Sequence, residues 1–128
     1  MATSKAKSEK EQNTGDPNAF ELAIKRLNDD GNEIGTDYDV LKGRVKGKDF
    51  KIVVVAPDVV VWTQLQAAAE ATSKGVQNAK IWDESQKCVV YPSLNELKDI
   101  CDKKPAVKTL VTNTVGKLAT AGLGFLRD

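Results

Sequence analysis

The residues whose spacing most suggests chemistry are four cations at alternate positions: Lys42, Arg44, Lys46 and Lys48. Alternate residues of a β-strand point to one face, so the pattern predicts a basic stripe. A basic stripe could meet a phosphate backbone or an acidic partner. The favoured alternative is an exposed hairpin whose lysines prevent edge-to-edge strand pairing. Asp37, Asp39 and Asp49 lie close by and dilute the positive field.

Histidine chemistry is excluded because the 128 residues contain no histidine. The commonest general base and the commonest metal ligand are therefore missing. Two cysteines without histidine cannot complete a tetrahedral zinc site within one chain. Cys88 and Cys101 fall on apolar stripes, which favours ordinary buried thiols over reactive ones. We expect no catalytic residue, no cofactor and no metal ion, and hence a protein that is not an enzyme.

Two acidic segments are predicted to form neither a calcium site nor a catalytic carboxylate pair. Residues 29–33 resemble part of a calcium loop, but their spacing lacks the alternate ligands and the late glutamate of an EF-hand. Asp83 and Glu84 are adjacent, and adjacent side chains on a helix diverge. A capped turn and a solvated helix face are the better interpretations.

Charge and composition limit the classes of partner that we expect. Nineteen basic and eighteen acidic residues give a net charge of +1, and only seven residues are aromatic. A dedicated nucleic-acid binder is usually strongly basic, so nucleic acid is an unlikely partner. The longest apolar run, residues 52–56, is too short to cross a membrane. Few cysteines and a polar start predict a cytoplasmic protein with reduced thiols.

Length and composition predict one folded domain with two flanking segments. Residues 1–15 are polar and nearly free of apolar side chains, which predicts a disordered arm or an arm that orders on a partner. The single domain is expected over residues 16–122. Residues 123–128 are expected to form a short tail.

The domain is predicted to be α+β, with a small antiparallel hairpin followed by a bundle of three to four short helices. Asp16 and Pro17 are typical of a helix start, and apolar residues recur at helical spacing to Leu27. Residues 40–45 and 49–55 then show the β-branched composition of strands around a Lys-Gly turn. The second strand is expected to be covered on both faces.

Four helical segments follow the hairpin. The first opens near Asp58 and is expected to stop at Gly75, and the second covers residues 76–87. Ser93 and Glu96 form a capping box that opens the third, and the fourth begins after Pro105. The expected buried stripes of the last two helices are Leu94, Leu97, Ile100 and Cys101, then Val107, Leu110, Val111, Val115, Leu118 and Ala119.

One succession of elements resembles a known family. An apolar strand ending in Ala-Pro at residues 51–57 precedes a tryptophan-bearing helix. The string Cys-Val-Val-Tyr-Pro-Ser at residues 88–93 then precedes a short helix, and a last helix follows Pro105. Over about residues 50–122, this order is similar to that of the tail assembly chaperones of tailed bacteriophages.

The resemblance implies a non-enzymatic helper in virion assembly. Such proteins bind the apolar, helical tape-measure protein and keep it soluble in the host cytoplasm while the tail polymerises. An apolar groove or face on the helices would serve this role. The candidate partner contacts are Trp62, Leu65, Trp82, Tyr91 and Leu110. A homo-oligomer of this chain is compatible with the assembly role.

Two other functions stay open from the sequence. One is a structural virion protein, such as a minor tail, connector or capsid-associated subunit, whose N-terminal arm orders on assembly. The other is a nucleic-acid-binding accessory protein that uses the basic residues between positions 42 and 48. Incorporation into particles would mark the first, and salt-dependent DNA affinity would mark the second.

Overall fold

A computed structural model describes residues 17–71 and 73–121 of the chain. The predicted arm at residues 1–15 and the predicted tail at residues 123–128 lie outside the described residues. The elements, in chain order, are α1 (Pro17–Asp29), β1 (Tyr38–Val45), β2 (Lys48–Val55), α2 (Val59–Ala69), α3 (Lys74–Ser85), a 3-10 turn (Gln86–Cys88), β3 (Val89–Tyr91), α4 (Leu94–Lys103) and α5 (Ala106–Thr120).

The predicted hairpin is confirmed. β1 and β2 pair antiparallel along their whole length, from Tyr38 opposite Val55 to Val45 opposite Lys48. The two-residue turn between them places Lys46 at φ 50° and Gly47 at φ 79°. Positive φ at both central residues is typical of a type I′ turn, whose twist matches that of the strands it joins.

A third strand completes the sheet, in the order β1-β2-β3. β3 pairs antiparallel with β2, with Tyr91 opposite Val53 and Val89 opposite Val54. Pro92 favours an extended conformation at Tyr91, but no strand was predicted there. A three-residue strand shows no alternation that could be recognised, so this strand was missed.

The sheet is covered on both faces, as predicted for β2. On one face, Ile52 and Val54 are fully buried in a core built with the helices that follow the hairpin. On the other face, α1 packs over the sheet: the ring of Phe20 meets the ring of Tyr91 edge-on with 5.7 Å between centroids. The Tyr38 hydroxyl donates to Asn28 Oδ1 at 2.7 Å. The fold is therefore α+β.

Side-chain caps set where α2 and α4 begin. The carboxylate of Asp58 accepts from the Val61 N–H at 2.8 Å, at the predicted start of α2. The hydroxyl of Ser93 accepts from the Glu96 N–H at 3.3 Å, at the predicted start of α4. Each bond satisfies one of the free N–H groups of a first helical turn.

The prediction that Gly75 ends a helix is wrong. α2 ends at Ala69, and Gly75 is the second residue of α3. The hydroxyl of Ser73 accepts from the Val76 N–H at 3.2 Å and begins the new helix there. Because Ser73 caps α3 two residues before Gly75, the glycine lies inside the first turn of a helix and does not end one.

Two predicted members of the buried stripes are exposed. Leu94 lies in the first turn of α4, and Leu110 faces solvent on α5. Thr114, one turn after Leu110, is buried, and its hydroxyl donates to the Leu110 carbonyl at 2.8 Å. A threonine hydroxyl that donates to a carbonyl of its own helix costs little to bury. A prediction from apolar residues alone therefore included Leu110 and left out Thr114, although Val107, Val111, Val115 and Leu118 are buried as predicted.

Candidate protein-binding surfaces

The four predicted cations do not form one stripe. Lys42 and Arg44 share a face of β1, but Lys48 pairs with Val45 and so lies on the opposite face. Lys46 occupies the turn itself. The prediction of one face is wrong because the two-residue turn breaks the alternation between the strands.

A cation that the sequence analysis missed joins Lys42. Lys51 lies directly opposite it across β1 and β2. The Lys51 ammonium lies 4.4 Å from the centroid of the Phe20 ring. The neighbouring cross-strand pair, Arg44 and Asp49, has opposite charges, and Arg44 Nε donates to Asp49 Oδ1 at 2.9 Å. Pairing the strands in register would have found Lys51, since position 51 faces position 42 once the turn is fixed.

Three of the five predicted partner contacts are structural. Leu65 and Trp82 pack against the core on the helical side of the sheet. The Lys108 ammonium lies 5.6 Å from the centroid of the Trp82 ring, which ties α5 to α3. Tyr91 lies on the other face of the sheet, where it packs on Phe20.

The remaining two contacts lie at the surface. Trp62 is half-buried on α2, and Leu110 on α5 is 50% exposed. Because Tyr91 is separated from the other four by the sheet, the five residues do not make a single surface.

Helix α2 has no charged residue, although Thr63, Gln64 and Gln66 give it exposed polar side chains. Its inner face packs against the core through Val61, Leu65 and Ala68. On its outer side, Val59 is 81% exposed and Val60 is 69% exposed, beside the exposed polar side chains of Thr63 and Gln66.

We define the outer face of α2 by Val59, Val60 and Trp62. The polar side chains of Thr63 and Gln66 lie between them, and no element among the described residues covers the two valines. The sequence analysis found Trp62 but not the two valines. The available signal was the lack of any charge between Asp58 and Glu70.

A second surface is the α1–β1 cleft, a depression of about 620 Å³ on the side of the sheet that α1 covers. Its apolar lining comes from α1, from β1 and from the segment that joins them: Phe20, Ile24, Ile34 and Val40. Ile34 is 59% exposed, so the cleft presents an apolar side chain at its rim. The charged side chains of the lining are Glu21, Lys25, Asp29, Asp39 and Lys42.

The buried thiols are held in the unreactive form. Burial, followed by the charges of Asp58 and Glu84, raises the pKa of Cys88 to about 11. Burial also raises the pKa of Cys101. Since the thiolate is the nucleophile, neither cysteine is poised for reaction near neutral pH.

Within residues 17–71 and 73–121, no three histidine, cysteine or carboxylate side chains are grouped as metal ligands would be. In the same part of the chain, no helix has the length and apolarity needed to cross a bilayer. A scan of protein-family models, a search of curated proteins and a search of solved structures found no match to this chain.

Proposed function

We propose that this chain is a non-enzymatic assembly chaperone that binds an apolar helical segment of another protein through the outer face of α2. The specific form proposed is a bacteriophage tail assembly chaperone acting on a tape-measure protein in the host cytoplasm. This specific form rests on the resemblance in the order of elements over residues 50–122.

The exposure of two valines on the outer face of α2 is the observation that supports the binding role. Covering Val59 and Val60 would remove two branched apolar side chains from water, at roughly 1.5–3 kcal/mol for each one fully buried. Trp62 lies one helical turn from Val59, at a spacing that places both against one partner helix. Large aromatic side chains of this kind often dominate binding energies.

The cap of α2 supports the same role. The Asp58–Val61 bond holds the first turn in place without help from the two valines. Their side chains can therefore contact a partner without the helix having to form on binding. A surface that is already ordered avoids the entropy cost of folding during association.

Size-exclusion chromatography with light scattering tests the proposal. The purified chain is run alone and after mixing with an apolar, coiled-coil-forming protein that precipitates by itself. We expect a soluble complex of defined stoichiometry. The double variant Val59→Ser/Val60→Ser should lose it, because serine is well tolerated in a first helical turn but removes the apolar contact.

The matched control is Val76→Ser on α3, an exposed valine outside the outer face of α2. It should form the complex as the natural chain does. Equal binding by the double variant would overturn the proposal. Self-association that is lost in the double variant, with no uptake of the partner, would instead assign this face to contacts between copies of the chain.

A further inference from the structure

The outer edge of β1 has backbone groups without a hydrogen-bond partner in the part of the chain that the structure describes. The Ala56 N–H donates to the Asp37 carbonyl at 2.9 Å, which continues the β1–β2 ladder and fixes its alternation. Residues 39, 41, 43 and 45 then bond to β2, whereas Tyr38, Val40, Lys42 and Arg44 direct their N–H and C=O groups away from β2.

Side chains and turns occupy both ends of this edge. The Tyr38 carbonyl accepts from the Gly35 N–H at 2.7 Å. The Val40 N–H donates to the Asp39 carboxylate at 2.8 Å. At the other end, the Arg44 carbonyl accepts from the Lys104 ammonium at 3.1 Å. Four backbone groups have no partner within residues 17–71 and 73–121: the Val40 carbonyl, the Lys42 N–H and carbonyl, and the Arg44 N–H. We call these four groups the window.

Two lysines lie directly opposite each other beside the window. Lys42 faces Lys51 across the hairpin, and like charges directly opposite each other destabilise a strand pair. Among the described residues, neither lysine forms an ion pair within 4.0 Å. An acidic side chain placed on the free side of Lys42 would relieve this repulsion.

An apolar site lies two residues away on the same face. Val40 shares the face of Lys42 and lines the α1–β1 cleft with Ile24 and Ile34. A strand added along the window would place alternate side chains on this face. The side chain opposite Val40 would enter the cleft, and the side chain opposite Lys42 would meet the lysine.

We propose that the outer edge of β1 binds an extended segment of a partner protein by strand addition, with an apolar residue opposite Val40 and an acidic residue two positions away opposite Lys42. In the antiparallel arrangement, the window supplies four backbone hydrogen bonds, two of them at Lys42. The backbone supplies the bonds, and the paired side chains supply selectivity.

A second copy of this chain is a poor occupant of the same edge. Pairing centred on Lys42 would bring two lysines face to face, which adds to the repulsion already present with Lys51. The proposal extends the assembly role to a second surface. α2 and the outer edge of β1 are separate elements, so each can fail its own test without the other.

The test is an NMR titration of the full chain with two eight-residue peptides. The first alternates valine and glutamate among threonines, and the second carries lysine in place of each glutamate. Addition of the glutamate peptide should slow amide hydrogen exchange at Lys42 and Arg44, whose N–H groups lie in the window. The lysine peptide should bind about tenfold more weakly.

Two variants make the result decisive. Lys42→Glu should reverse the preference between the peptides. Lys42→Pro should keep the fold, because the Lys42 N–H is outside the β1–β2 ladder, but should lose peptide binding. No binding at about 1 mM peptide, equal binding of both peptides, or protection elsewhere than β1 would overturn the proposal. Protection that depends on protein concentration alone would also overturn it.

Discussion

The ring of Phe50 lies over Gly43, its partner across β1 and β2. A Cβ at position 43 would overlap that ring, with Phe50 Cε2 only 2.8 Å away. The glycine therefore leaves room for an aromatic side chain that packs against the core. Glycine within a strand often marks such a close approach.

Gly43→Ala should destabilise the fold by about 1–3 kcal/mol, because Phe50 must move out of a packed position. Gly116→Ala on α5 is the matched control, since nothing lies within 4 Å of the added methyl group. It should stabilise the fold by about 1 kcal/mol through helix propensity. Urea denaturation measures both, and equal signs would contradict this account of Gly43.

The hairpin turn predicts a stabilising substitution. Lys46 adopts a left-handed conformation at φ 50°, which costs a residue with a side chain roughly 1–2 kcal/mol. Asparagine tolerates this conformation, and Asn-Gly is the preferred type I′ pair. Lys46→Asn should therefore raise the thermal midpoint, whereas Gly47→Ala should lower it. A lower midpoint for Lys46→Asn would contradict the assigned turn.

Much of this hairpin could be predicted from the sequence, because β-branched residues and a central Lys-Gly carry local signals. The face of Lys48 could not, since a shift of one residue at the turn exchanges the two faces of a strand. The third strand, β3, could not be predicted from the sequence either. Its pairing with β2 depends on tertiary contacts at Val53 and Val54 rather than on any periodicity.

Replacing Ser85 or Ser93 by alanine should change the stability of the fold in opposite directions. The Ser85 hydroxyl is buried and has no hydrogen-bond partner among the described residues. Ser85→Ala should stabilise the fold by about 1 kcal/mol, because it removes an uncompensated desolvation cost. Ser93→Ala should destabilise it by about 1 kcal/mol through loss of the α4 cap. Thermal unfolding of both variants checks the pair, and destabilisation by Ser85→Ala would contradict it.

The raised pKa of Cys88 predicts a loss of stability in alkali. Its ordinary pKa is 9.0, and in the fold the pKa is about 11. Between these values the unfolded chain has lost the thiol proton and the folded chain has kept it. The free energy of unfolding should therefore fall as pH rises from 9 to 11.

Cys88→Ala is the control for this pH dependence. The variant should be less stable overall because it leaves a cavity, but its stability should fall less steeply over the same pH range. Comparing the two slopes cancels the contribution of the lysines. Equal slopes would show that the Cys88 thiol does not titrate differently in the two states.

The candidate site was harder to predict than the fold. Trp62 and Trp82 look alike in the sequence, yet Trp82 packs against the core and Trp62 does not belong to the residues packed there. Apolar periodicity identifies the inner face of α2 through Leu65. It cannot show that the outer face lacks a cover, because exposure depends on where the other helices pack.

The fluorescence of Trp62 tests the central claim most directly. In a Trp82→Phe background, Trp62 is the single tryptophan, and it lies on the face proposed to bind a helix. Addition of an amphipathic, leucine-rich helical peptide should shift its emission to shorter wavelength, with saturation. The reverse background, Trp62→Phe, should show no shift from Trp82. Complex formation with unchanged Trp62 emission, or no complex at all, would contradict the claim that α2 binds an apolar helical partner.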